Sequence, residues 1–485
     1  MTPRIFPFKR FLPFTFCLLP FAFSLFPFQA QVSAQEFNAE RARTMSAQYS
    51  RPSAEWVRNG IIYEIYPRSF SPEGTFAGIE KKLPELKSLG VTVLWLMPIH
   101  PVGVLNRKGS LGSPYSISDY YGINLEFGTL DDFRRLLATA HALGFHLVID
   151  LVANHTAWDG KLIREHPEWF YKDFAGKIIP PNPDWTDVAH LDYTQPGLRR
   201  YMIDMMKYWV RDIGIDGFRC DVSELVPVDF WDQARTALDS IKTVMMLSEG
   251  AYPEHHLKAF DITYDWDLYH AIAPVLSGTA TARSLDRVLN IQELTYPKGA
   301  LHLRFSSNHD ENAWDKADVE KFGIAGAKLA AVLINTVPGV PLLYNGQEAG
   351  NPVQLKLFEK IPIQWNVTND SRSFYTVLYE IRKTHPALTG QTMVRVPSSD
   401  DRRVYAFLRI APHDTVLVIC NFGSIPFQGT LQFSETAITF ERNIFLKDLF
   451  AGTSTSAQMT AEKALTVSIP AVGYTLFQIS AGTNK

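Results

Sequence analysis

Four acidic residues stand out because each closes a short apolar run. Asp150 ends "HLVID", Asp221 follows "IDGFRC", Glu249 ends "VMMLSE" and Asp310 follows "LRFSSNH". A buried charge is costly unless it is paired, so a carboxylate at the end of a core strand needs a partner or a task. Arg219 stands two residues before Asp221, and His155 and His309 stand beside Asn154 and Asp310. Residues i and i+2 of a strand share a face, so Arg219 is expected to point with Asp221 and keep it ionised. Glu249 has no cation beside it in sequence and is the better proton donor. One ionised and one protonated carboxyl make the pair that glycoside hydrolysis needs. The first attacks an anomeric carbon, and the second protonates the leaving oxygen. The 28 residues from Asp221 to Glu249 leave room for one helix and the next strand. Neighbouring strands lie ~4.8 Å apart, compatible with the ~5–5.5 Å carboxyl separation of retaining enzymes. Asp310 is a third carboxylate, suited to steady a positively charged transition state or to hold sugar hydroxyls.

These acids must be carried by elements that bring them to one rim. Eight apolar runs read as strands: 61–66, 91–97, 146–152, 215–220, 243–248, 260–265, 301–306 and 340–345. Amphipathic stretches intervene, such as 76–90 and 130–144, each closed by a glycine, and 323–336. Strands alternating with helices predict parallel pairing through right-handed crossovers. The fold class is therefore α/β, a (β/α)8 barrel over residues 50–389, whose strand ends meet at the C-terminal face where barrel sites form. Residues 156–196 are too long for a plain loop and predict a small inserted subdomain after the third strand. Its tryptophans, Trp158, Trp169 and Trp185, line a groove or form the insertion's core, mostly the latter. From 390 to 485 short strands follow one another without helices, as in a β-sandwich domain.

Composition bounds the rest. Apolar residues make up 46% of the 485 and charged residues 20%, an ordinary globular balance. Net charge is −3, with no basic stripe for nucleic acid. Residues 1–34 carry three basic residues, then an apolar run rich in Phe and Pro, then "VSA". This predicts a signal peptide cleaved near residue 34, a secreted protein and no stable membrane anchor afterwards. The remainder holds 44 basic residues against 50 acidic ones. Cys17 leaves with the leader, and Cys220 and Cys420 are expected to stay unpaired. No histidine pair has helical zinc-ligand spacing, so no metal ligand is assigned. His255 and His256 are merely adjacent.

"HLVIDLVANHT", "GIDGFRCDVS", "MLSEG" and "FSSNHDEN" resemble, in order and approximate spacing, the four sequence blocks of the α-amylase family of glycoside hydrolases (family thirteen). "LDYTQP" is similar to a weaker block of the family's inserted domain, and "LLYNGQE" to its eighth strand. The resemblance runs from about Ile61 to the end, and implies a secreted bacterial-type α-amylase. It implies Asp221 as nucleophile, Glu249 as general acid/base and Asp310 as the third acid. It places Arg219, His155 and His309 against the sugar at the cleavage site, Tyr115 as a ring stacking on that sugar, and Asp150 and Asn154 as structural support. His100, in "MPIHP", is open to a structural or a binding role. Asn154 matches a position that binds calcium in many members. The Lys-His that often accompanies calcium is replaced by Val222-Ser223-Glu224, which with the compact inserted domain counts against calcium. The chemistry implied needs no organic cofactor. The substrate implied is an α-1,4-glucan or maltooligosaccharide. Cyclic or α-1,6-linked substrates, transglycosylation, and a sugar-binding relative without activity are the alternatives.

Overall fold

The computed structural model describes residues 39–434, 436 and 441–481. The proposed leader lies outside them. Eight parallel strands close a barrel: β1 (Ile62–Ile65), β2 (Val93–Leu96), β3 (His146–Leu151), β6 (Gly217–Cys220), β7 (Met245–Ser248), β8 (Ile262–Tyr264), β9 (Leu301–Arg304) and β10 (Val340–Tyr344). All eight fall inside the apolar runs identified in the sequence. A short hairpin, β4 (His155–Ala157) with β5 (Val188–His190), opens and closes the long connection after β3. The glycine stops act as expected. Gly90 ends the helix Phe76–Leu89 at φ +106°, and the helix Leu130–Ala142 starts on a Thr129–Asp132 capping box.

Alternation along the strands divides their residues between two environments. Ile62, Val93, Val148, Met245, Leu301 and Val340 fill the barrel interior. Tyr63, Leu94, Leu147, Phe218 and Met246 face the surrounding helices. Two residues beyond the interior layer come Glu64, Trp95, Asp150 and Arg219. In register, Glu64 stands beside Trp95, and Asp150 beside Arg219. The polar residues thus form the layer of the barrel towards the C-terminal ends of the strands. Gly217 makes room below Arg219. A Cβ there would lie 2.0 Å from the Met245 carbonyl oxygen, so only glycine lets β6 close on β7 at that point.

The C-terminal strands are β11 (Met393–Val396), β12 (Val404–Ala411), β13 (Asp414–Asn421), β14 (Phe427–Gln432), β15 (Asn443–Asp448), β16 (Ser454–Gln458), β17 (Ala464–Ile469) and β18 (Gly473–Ala481). Six of them form an antiparallel sheet, and β14 pairs with β17 in a second. Leu408, Leu417, Ile419, Leu431, Leu465 and Ile469 make the core between the sheets. The other face of the large sheet, through Phe407, Val418 and Leu476, joins the barrel's helical layer.

Two buried arginines donate to main-chain carbonyls, Arg409 across that junction and Arg382 within the barrel behind it. Arg409 reaches Thr336 and Gly390. Arg382 reaches Asn335 at 2.6 Å, Gly339 at 2.7 Å and Leu388 at 3.1 Å. Arg382→Ala strands these carbonyls away from water. It is expected to lower the unfolding free energy by about 3 kcal/mol, read by chemical denaturation. A change below about 0.5 kcal/mol would show that the barrel does not depend on these bonds.

Candidate active site

The site is built around one guanidinium. Arg219 is fully buried at the end of β6. Its Nη1 donates to Asp150 at 2.9 and 3.1 Å and to Asp221 at 2.9 Å. Its Nη2 comes within 2.8 Å of Glu249 Oε2, off the direction of a good hydrogen bond. Trp95, Tyr115 and Tyr264 present their rings to the cation, 5.2–5.7 Å from it, a stabilising arrangement in a dry site.

Asp221 and Glu249 stand side by side because β6 and β7 do. Cys220 pairs with Ser248 in the barrel register, so the next residue of each strand is one of the two acids. The chain then turns sharply. Val222 adopts φ +35°, ψ +45°, a left-handed conformation that a β-branched residue rarely takes. At the turn the Val222 N–H donates to Glu249 Oε2, 2.7 Å away.

A second chain of contacts enters from β1 and β9. His309 Nδ1 donates to Glu64, and its Nε2 lies 2.6 Å from the Tyr115 hydroxyl and 3.4 Å from Asp310. Tyr115 in turn donates to Asp150 at 3.3 Å, as does the Trp95 indole. Asn308 caps the helix His309–Trp314 through the Glu311 N–H, which fixes where His309 and Asp310 begin. His155 comes from the β4 hairpin, its Nε2 4.0 Å from Asp221 and its Nδ1 3.2 Å from the Asn154 amide. Trp185, from the insertion, meets the His155 ring edge-on at 5.3 Å. This one tryptophan of the insertion thus borders the site. Trp158 and Trp169 instead pack partly buried against the main core.

Every residue assigned from the sequence, from Tyr115 to Asp310, falls in this cluster. His100 does not. It is buried against Trp209 and Tyr120, bonded to the Gly122 carbonyl, and burial pulls its pKa down to about 4. Glu64, Trp95 and Tyr264 were missed. Glu64 had a signal, a lone carboxylate inside the apolar run "IIYEIY". The two rings had none, since aromatic residues in a strand read as ordinary core.

The electrostatics correct two expectations. Arg219 serves Glu249 as well as Asp221, so Glu249 does have a cation beside it. Nor does Arg219 hold Asp221 fully ionised. Burial outweighs the cation and pushes Asp221 and Asp150 up to about 6 and Glu249 up to about 7. For His309, burial works downwards, but Asp310 and Glu64 together raise it to about 9. It thus donates from both nitrogens. Burial leaves His155 neutral, at about 3. Among the described residues no group of three or more His, Cys, Asp or Glu is disposed to hold a metal, and calcium takes six to eight oxygens.

The raised carboxyls have a measurable cost. In the unfolded chain Asp221 titrates near ~3.9, in the fold near about 6. Between those values the folded state binds the extra proton, so stability from this group is present below the first and lost as pH rises through the second. Asparagine does not ionise. Asp221→Asn is therefore expected to be more stable than the wild type at about pH 8, by on the order of 1–3 kcal/mol. The gap should close towards about pH 4. Denaturant titrations at both pH values read it, and a pH-independent gap would refute a raised Asp221.

Comparisons with known proteins agree with this architecture. Residues 64–390 match the family model described as the α-amylase catalytic domain. The α-amylase MalA of Haloarcula japonica is 30% identical over 78% of this chain, and the match spans 57% of that protein's length. A cyclomaltodextrinase of a Bacillus species is 24% identical over 76% of this chain and 73% of its own. The crystal structure of a noncanonic maltogenic α-amylase, AmyB, from Thermotoga neapolitana superposes with a TM-score of 0.81 and 34% identity, covering 88% of this chain and all of that one. The chain belongs to the α-amylase family.

Proposed function

We propose that this protein is a retaining hydrolase of α-1,4-glucans and maltooligosaccharides. The observation that carries the reading is the side-by-side placement of Asp221 and Glu249 on adjacent strand ends, bridged by Arg219. Asp221 has the better-aligned bond to the cation and the lower pKa of the two, which suits a nucleophile. Glu249 keeps its proton to about 7 and serves as the acid. Asp221 attacks the anomeric carbon while Glu249 protonates the departing oxygen. Glu249, then a base, activates the water that releases the sugar with its α configuration kept. Asp310 and the doubly protonated His309 hold sugar hydroxyls, and Tyr115 offers its ring to the sugar. Short or cyclic maltooligosaccharides are a second reading, favoured by the compact insertion and the likeness to a cyclomaltodextrinase. The leader supports export to the periplasm or the medium.

Proton NMR on maltoheptaose tests the stereochemistry: new reducing ends are expected as the α anomer before mutarotation, and β ends would refute a retaining mechanism. Asp221→Asn should lose at least about 10³-fold in kcat. Glu249→Gln should cripple maltoheptaose far more than an aryl glycoside whose leaving group needs no proton. Equal losses on both would remove Glu249 from the acid role.

The pair also sets the pH profile. Activity needs one carboxylate and one carboxylic acid, so kcat/KM is expected to follow a narrow bell. Its limbs belong to the coupled pair and should fall near about 6 and about 7. A profile flat across that range would contradict the assignment.

A further inference from the structure

Trp314 closes the helix His309–Trp314 with its indole 66% exposed. It stands four residues after Asp310, and residues i and i+4 of a helix share a face, with Cβ atoms about 5–6 Å apart. Its ring meets that of Phe358 at 5.7 Å and 69°. The two line a groove of about 340 Å³ with Gln354, Lys356 and Glu359 at its margins. Three connections from the C-terminal face meet there. Gln354, from the segment after β10, donates to the Ala313 and Asp315 carbonyls. Leu355 N–H donates to Asn312. Leu111, from the segment after β2, donates to the Phe358 carbonyl. The groove is thus held in shape by hydrogen bonds, while its aromatic floor is left to solvent.

Around the barrel the order runs β2, β1, β10, β9, β8, β7. Glu249 follows β7, whereas the groove's walls follow β9, β10 and β2. The groove therefore lies beyond Asp310, on the side away from the acid that protonates the leaving group. A glucan whose leaving part departs at Glu249 extends its retained, non-reducing part towards Asp310 and then Trp314. An aromatic face fits the apolar face of a pyranose, and the polar margin suits its hydroxyls. We infer that Trp314 and Phe358 form a platform for a glucosyl unit on the non-reducing side of the scissile bond. The inference rests on the α-glucan reading above.

Calorimetric binding of maltoheptaose to Glu249→Gln, with and without Trp314→Ala, tests the platform apart from turnover. Loss of the indole is expected to weaken binding about 3- to 10-fold, and Trp314→Phe should recover most of it. In the active background, maltoheptaose labelled at its reducing end reads the side. Trp314→Ala should move cleavage towards the non-reducing end, a shift that mere destabilisation would not produce. Unchanged binding, or a shift towards the reducing end, overturns the inference. A wild type that binds maltoheptaose without cleaving it would instead overturn the proposed hydrolysis.

Discussion

The placement of one fixed positive charge inside the barrel is the constraint on which the site depends. Three carboxyl groups surround Arg219, and none of them would be tolerable there as an anion without it. The opposite also holds. A buried guanidinium that lost its acids would be stranded, with three aromatic rings as its only company. Cation and acids therefore enter the fold together. Because the positive charge is shared among three acids, none of them is fully satisfied. Burial outweighs what the shared cation gives back, and that balance pushes Asp150 and Asp221 up to about 6 and Glu249 up to about 7.

The rest of the fold serves that arrangement at successive distances. Gly217 lets β6 and β7 approach. The inner apolar layer fixes the height at which Glu64, Trp95, Asp150 and Arg219 sit. The helices outside fix the barrel's curvature, and the large C-terminal sheet covers part of that helical layer, tied to it by Arg409. None of these outer contacts touches the reacting groups. They matter because a site of buried, mutually dependent charges has little tolerance for movement: low local dielectric magnifies every small displacement.

Much of this was legible in the sequence, for identifiable reasons. The barrel strands are apolar runs bounded by glycine and by helical periodicity, so all eight could be located. The acids were visible because a charge at the end of such a run has no ordinary explanation. Distances around the ring were not legible. Arg219 was expected to serve its sequence neighbour Asp221, yet it reaches Glu249, 30 residues on, equally closely. Glu64 and His309 are far apart in the chain and adjacent in the barrel only because β1 and β9 both flank β10. The left-handed turn at Val222 had no signal at all, because valine is among the residues least expected there.

That turn bears on how the enzyme becomes an enzyme. A valine does not choose a left-handed conformation by itself; the neighbouring strand and the Glu249 carboxylate hold it there. Local sequence around Asp221 therefore does not encode its own working geometry. Asp221 and Glu249 come side by side only when β6 and β7 have paired. Competence arrives as a property of the closed ring.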